Sequence, residues 1–140
     1  MNALVVDTSV AIKWFVPEVH SEAAVRVLDT GDTLIAPDLI VAEVGNTLWK
    51  KIGRGEISRD EGVQILAAFE GIGVELYPSA VLSHSALELA CELQCTVYDA
   101  LYLALAVARD CKVITADRRF YDAVVRSTWR DQALFVSDER

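Results

Sequence analysis

Three short runs of apolar residues constrain this chain more than any other feature. Leu4-Val5-Val6, Leu34-Ile35-Ala36 and Val113-Ile114-Thr115 are continuous rather than alternating. Strands with one wet face alternate apolar and polar side chains; continuous runs belong to strands covered on both faces. Between them lie segments with helical spacing, such as Ile40, Val44, Leu48 and Ile52. Strands separated by helices imply an α/β fold with a parallel sheet sandwiched between helices. A hydrophobic content of 53% and a mean hydropathy of +0.29 over 140 residues agree with that arrangement.

The expected elements follow in order. Strands are expected at 3–7, 34–36, 74–77, 112–115 and 133–136. Helices are expected at 8–15, 20–29, 38–53, 58–70, 80–94, 96–108 and 118–127. Asp38 is placed as the N-cap of its helix, and Ser58 with Glu61 has capping-box spacing. No linker, repeat or low-complexity tract interrupts residues 1–140, which read as a single domain.

Several function classes are excluded. The longest nearly continuous apolar run, 100–108, is far short of the about 20 residues a spanning helix needs. No basic, signal-like segment opens the chain, so a cytoplasmic protein with no membrane association is expected. Cys91, Cys95 and Cys111 read as small buried hydrophobes, and His20 and His84 are too far apart in sequence to suggest zinc. There is no phosphate-binding glycine loop and no nucleophile elbow.

Four acids break the apolar pattern. Asp7 ends the first strand, Glu43 interrupts Leu39–Val44, Asp99 is the only charge between Cys95 and Ala108, and Asp117 follows Val113–Ala116. Each has a local explanation. Asp7 and Asp117 suit N-caps, Asp99 suits a reciprocal partner for a Thr96 cap, and Glu43 suits an exposed helix face shared with Asn46, Thr47 and Lys50. Taken together, Asp7 and Asp117 end strands of one parallel sheet, where ligands of such sheets bind. Converging carboxylates repel by roughly 3 kcal/mol per pair at 5 Å and an effective dielectric of 20. A cation relieves that repulsion, and an all-oxygen donor set suits Mg²⁺ or Mn²⁺ and phosphate-ester hydrolysis.

In this order the four blocks resemble the PIN-domain family, and within it the VapC-type toxin ribonucleases. The blocks are Leu4–Ser9, Pro37–Leu48 around Glu43, Val97–Ala106 around Asp99, and Ile114–Phe120 around Asp117. The resemblance implies a three-layer α/β/α sandwich with a central parallel sheet of about five strands. It implies Mg²⁺-dependent (or Mn²⁺-dependent) endonucleolytic cleavage of RNA, a homodimer, and a cognate antitoxin. Asp7, Glu43, Asp99 and Asp117 would then be catalytic and hold metal, with Thr8, Asn46 and Thr115 supporting them and Asp122 as an alternative to Asp117. A PIN nuclease of RNA processing and a silent binding module remain open as rivals.

A net charge of −8 and a pI near 4.7 are unusual for an RNA-binding chain. RNA contact must be local, and Arg118, Arg119 and Lys50 (beside Lys51 and Arg54) are the candidates. Trp14, Phe15 and Trp49 read either as core or as a groove for the dimer mate or antitoxin.

Overall fold

The computed structural model describes residues 2–138. Strands β1 (Ala3–Val6), β2 (Thr33–Pro37), β3 (Glu75–Tyr77), β4 (Lys112–Thr115) and β5 (Ala133–Phe135) form one five-stranded sheet. Its order is β3-β2-β1-β4-β5, and every pairing is parallel. β1 is central: Leu4 stands beside Leu34 on one side, and Val6 beside Ile114 on the other. The chain builds outward from β1 to β3, then returns across the sheet to β4. The β1/β4 crevice is therefore the topological switch point, where such sheets bind ligands beyond their carboxyl ends.

Helices α1 (Thr8–Ala11), α2 (Ser21–Val27), α3 (Leu39–Gly53), α4 (Arg59–Ile72), α5 (Ser79–Leu93), α6 (Val97–Ala108) and α7 (Arg118–Val125) complete a three-layer α/β/α sandwich. Helix α6 lies across β1, β2 and β4 and is backed by α5. Its residues Ala100–Ala106 are all buried, which accounts for its lack of a polar face. Among the described residues no single helix is long and apolar enough to cross a membrane.

Two local expectations need correction. The helix expected at 8–15 is α-helical only to Ala11 and tightens to a 3-10 turn over Ile12–Trp14. Asp38 does not cap α3 with its side chain. Its Oδ1 instead accepts from the Ser79 N–H at 3.1 Å and hydroxyl at 2.6 Å, while the Leu39 N–H donates to Ser79 Oγ at 3.3 Å. The cysteines are free, but none is fully buried as expected: Cys91 is exposed, and Cys95 and Cys111 are half-buried. Ser58 and Glu61 form the reciprocal capping box that their spacing implied.

Candidate active site

Asp7 directly follows β1, and Asp117 follows β4 by one residue, so the sheet brings both to one edge. Glu43 reaches the same place from the second turn of α3, and Asp99 from the first turn of α6. All four line one cavity of about 510 Å³, together with Thr8, Ser9, Asn46, Lys50 and Tyr98. The acids that the sequence scatters over 111 positions are thus neighbours in space.

The hydrogen bonds share one pattern. Asp7 Oδ2 accepts from Ser9 Oγ at 2.8 Å and Thr115 Oγ1 at 2.7 Å. Glu43 Oε1 accepts from Tyr102 OH at 2.6 Å and Thr8 Oγ1 at 3.0 Å. Asp117 Oδ1 accepts from the Arg119 and Phe120 N–H groups at 3.0 and 3.2 Å, capping α7. In each carboxylate two donors hold one oxygen, and among the described residues none holds the other. The Asp99 N–H donates to the hydroxyl of Thr96, which caps α6.

The cost of gathering these charges is visible in their protonation. Asp7 is buried, and burial pushes its carboxyl up to about 7. The Thr115 and Ser9 hydroxyls oppose that rise, and the Asp99 and Glu43 carboxylates add to it. Asp99 is raised to about 6, first by burial and then by the Asp117 and Glu43 carboxylates. Desolvation and like charge both disfavour the ionised form, and here they act together. Among the described residues no three Asp, Glu, His or Cys side chains form a ready-made ligand cluster.

The caps expected for Asp117 and Thr96 exist, yet both helix starts also line the cavity, so the local and functional readings hold together. Thr8 and Thr115 bond the acids as expected, and Thr115 Oγ1 also accepts from the Asp117 N–H at 3.0 Å. Asn46 lines the cavity but holds none of the carboxylates. Ser9 and Tyr102 hold acids and were not singled out from sequence. The hydroxyl two residues after Asp7 was a usable signal. Tyr102, on the face of α6 that carries Asp99 three residues earlier, was one as well.

The basic candidates separate. Lys50 lines the acid cavity. Lys51 turns inward, buried, 2.7 Å from Glu18. Arg118 leaves the cavity and stacks on Phe135, its guanidinium carbon 3.8 Å from the ring centroid. Arg119 lines a second cleft that shares Asp99 and Asp117 with the first. Trp49 is exposed in an apolar groove of about 630 Å³ between α3 and α4. Trp14 does not reach that groove: it packs on the core, and its indole donates to the Ala24 carbonyl.

Comparison with known proteins agrees with this geometry. The PIN-domain family model matches residues 4–125, from β1 to the end of α7. The chain belongs to the PIN-domain family. Ribonuclease VapC3 of Pyrobaculum aerophilum is 38% identical over 120 residues, covering 83% of this PIN chain and 90% of the relative. Ribonuclease VapC1 of Mycobacterium tuberculosis is 32% identical over 85% of this chain and 89% of its own. The crystal structure of PAE2754 from Pyrobaculum aerophilum superposes with a TM-score of 0.71 at 21% identity, covering 96% of this chain and 91% of that one. That superposition shows a shared fold.

Proposed function

We propose that this PIN domain is a Mg²⁺-dependent endoribonuclease, the toxin of a type II toxin–antitoxin pair, with residues 1–140 forming one domain. The observation that carries the reading is the half-held carboxylates. Asp7, Glu43 and Asp117 each offer one oxygen to protein donors and keep the other for a ligand, around a single cavity at the switch point. With Asp99 they make an all-oxygen donor set of high negative charge, which suits a hard cation. The relatives named as VapC ribonucleases support the choice of RNA as substrate.

Asp7, Glu43, Asp99 and Asp117 would hold the cation, Mg²⁺ or Mn²⁺. Bound there, it would neutralise charge on a phosphodiester and supply a water of lowered pKa. The protein's own contribution is orientation. Thr115 and Ser9 fix Asp7, Thr8 and Tyr102 fix Glu43, and the α7 backbone fixes Asp117. Asn46 and Lys50 stand at the cavity wall, where an amide and an ammonium suit a phosphate or ribose. A cognate antitoxin, a homodimeric state and a cytoplasmic setting complete the proposal.

The test is cleavage of RNA by the purified chain with Mg²⁺, with EDTA, and with the Asp99→Asn variant. Cleavage with Mg²⁺ alone, lost in the variant, is expected, as is rescue of growth by a co-encoded partner. Cleavage that survives both EDTA and Asp99→Asn overturns the assignment.

A further inference from the structure

Beside the acid cavity lies a second cleft of about 500 Å³, and Asp99 and Asp117 line both. One wall is the end of α5 and the turn into α6, from Leu93 to Thr96. The other is the face of α7 bearing Arg119 and Ala123, continued by Arg126 at the helix's C-cap. These three stand at helical spacings of four and three, so they share a face with a small residue between two long cations. The two arginines are about 10 Å apart along the axis, at 1.5 Å per residue.

Their environment is unusual for this molecule. Acids outnumber Lys and Arg by 21 to 13, yet among the described residues neither Arg119 nor Arg126 has an ion-pair partner. The neighbouring Arg118 is committed to the Phe135 and Tyr121 rings. Arg119 also sits in the first turn of α7, where a cation opposes the helix dipole. Helix stability therefore gives no reason for it. The acid cavity itself offers an incoming polyanion only Lys50 as a cation among the described residues.

Resting on the ribonuclease reading, we infer that this second cleft binds the RNA backbone immediately beyond the scissile phosphate, with Arg119 and Arg126 as its phosphate ligands. The strand runs from Lys50 across the four acids and past Asp117 into the arginine cleft. Arginine suits the task because its planar fork binds phosphate oxygens in pairs. Arg118 takes no part.

The experiment compares the parent with the Arg119→Ala/Arg126→Ala double variant and with Arg118→Ala. The probes are 2′-O-methyl RNA oligonucleotides, a hexanucleotide and a dinucleotide, with binding read by fluorescence anisotropy or competition at several salt concentrations. The hexanucleotide should bind the double variant about 20-fold more weakly, near fivefold per arginine. Its log–log salt slope should shrink by about 1.4, or 0.7 per lost contact on a single strand. The dinucleotide, with its one phosphate, should bind all proteins alike, and Arg118→Ala should match the parent. Arg126→Lys should keep more than half of the slope, because charge is retained. Unchanged hexanucleotide affinity and slope in the double variant overturn the cleft, as does an equal loss for both lengths. Cleavage of RNA by the parent is scored separately. A parent that cleaves while the double variant binds normally sinks the cleft alone, whereas a parent that neither cleaves nor binds RNA sinks the ribonuclease reading.

Discussion

Glu43 is held by two hydroxyls that stand side by side, Tyr102 OH and Thr8 Oγ1 being 2.7 Å apart, each giving its single hydrogen to the carboxylate. Tyr102 is fully buried, so its ring packs the core while its hydroxyl aims a carboxylate. Tyr102→Phe keeps the ring and removes the aim. We expect kcat to fall about 10-fold or more, in line with the loss of a partner that orients a ligand. KM should barely change, and stability should drop by about 1 kcal/mol. A normal kcat in this variant would refute the positioning role. Asp7→Asn makes the opposite trade. Asn keeps an oxygen for Ser9 and Thr115 but carries no buried charge. With EDTA present it should be about 2–4 kcal/mol more stable than the parent, the scale set by a carboxyl raised from 3.8 to about 7. Its cleavage activity should be lost, and a metal-free stability at or below the parent's would contradict the account. The four acids were legible in the sequence because charge inside apolar runs is out of place. Tyr102 was hidden because a tyrosine in an apolar helix is ordinary core, and its hydroxyl partner lies 59 residues away. Arg118 and Arg119 looked equivalent because only the position of Phe135 on β5 separates them.

Helix α3 carries Glu43 near its start and an ion pair near its end. Lys51 Nζ lies 2.7 Å from Glu18 Oε2, and Lys13 Nζ lies 3.3 Å from Oε1, so the end of α3 is tied to the segment before α2. Burial pushes the Glu18 carboxyl up, but hydrogen bonds from Lys51 and Lys13 outweigh it and hold the group below its usual range. A carboxyl lowered by folding stabilises the native state above its unfolded pKa and loses that contribution as pH falls through the folded value. Lys51→Met should therefore cost about 1–2 kcal/mol at pH 7, the small figure reflecting partial exposure of Glu18. The gap to the parent should narrow below about pH 4, as read by urea denaturation at several pH values. A gap that stays constant from pH 7 to 3 would remove the pair as its cause. Elements were legible where their determinants are local. The Ser58–Glu61 box spans four residues and was read directly. Asp38 stands at the N-cap position as expected, but its side-chain partner was not legible, because Ser79 lies 41 positions along the chain. Lys51 was grouped with Lys50 and Arg54 because a buried lysine declares itself only through Glu18, 33 residues earlier.

Across the whole molecule the acid excess has a location. Removing the four site acids from a net charge of −8 leaves −4, so half of it is gathered at the switch point. The parallel sheet was legible from its unbroken apolar runs, but the order β3-β2-β1-β4-β5 was not, because crossovers between distant strands leave no local mark. That order sets Asp7 and Asp117 on adjacent strands, and it makes the site a cost to the fold until a cation arrives. A ligand that binds only the native state raises stability by RT ln(1 + [L]/Kd), about 1.4 kcal/mol at ten times Kd. For a chain of this size that is a rise of about 5 °C in Tm. Mg²⁺ or Mn²⁺ should produce it and EDTA should reverse it, while NaCl at matched ionic strength should not, since screening weakens repulsion without occupying the site. Asp99→Asn should remove most of the rise while leaving the metal-free Tm at or above the parent's. An unchanged parent Tm at metal concentrations that support cleavage would mean that the four carboxylates do not form the cation's site.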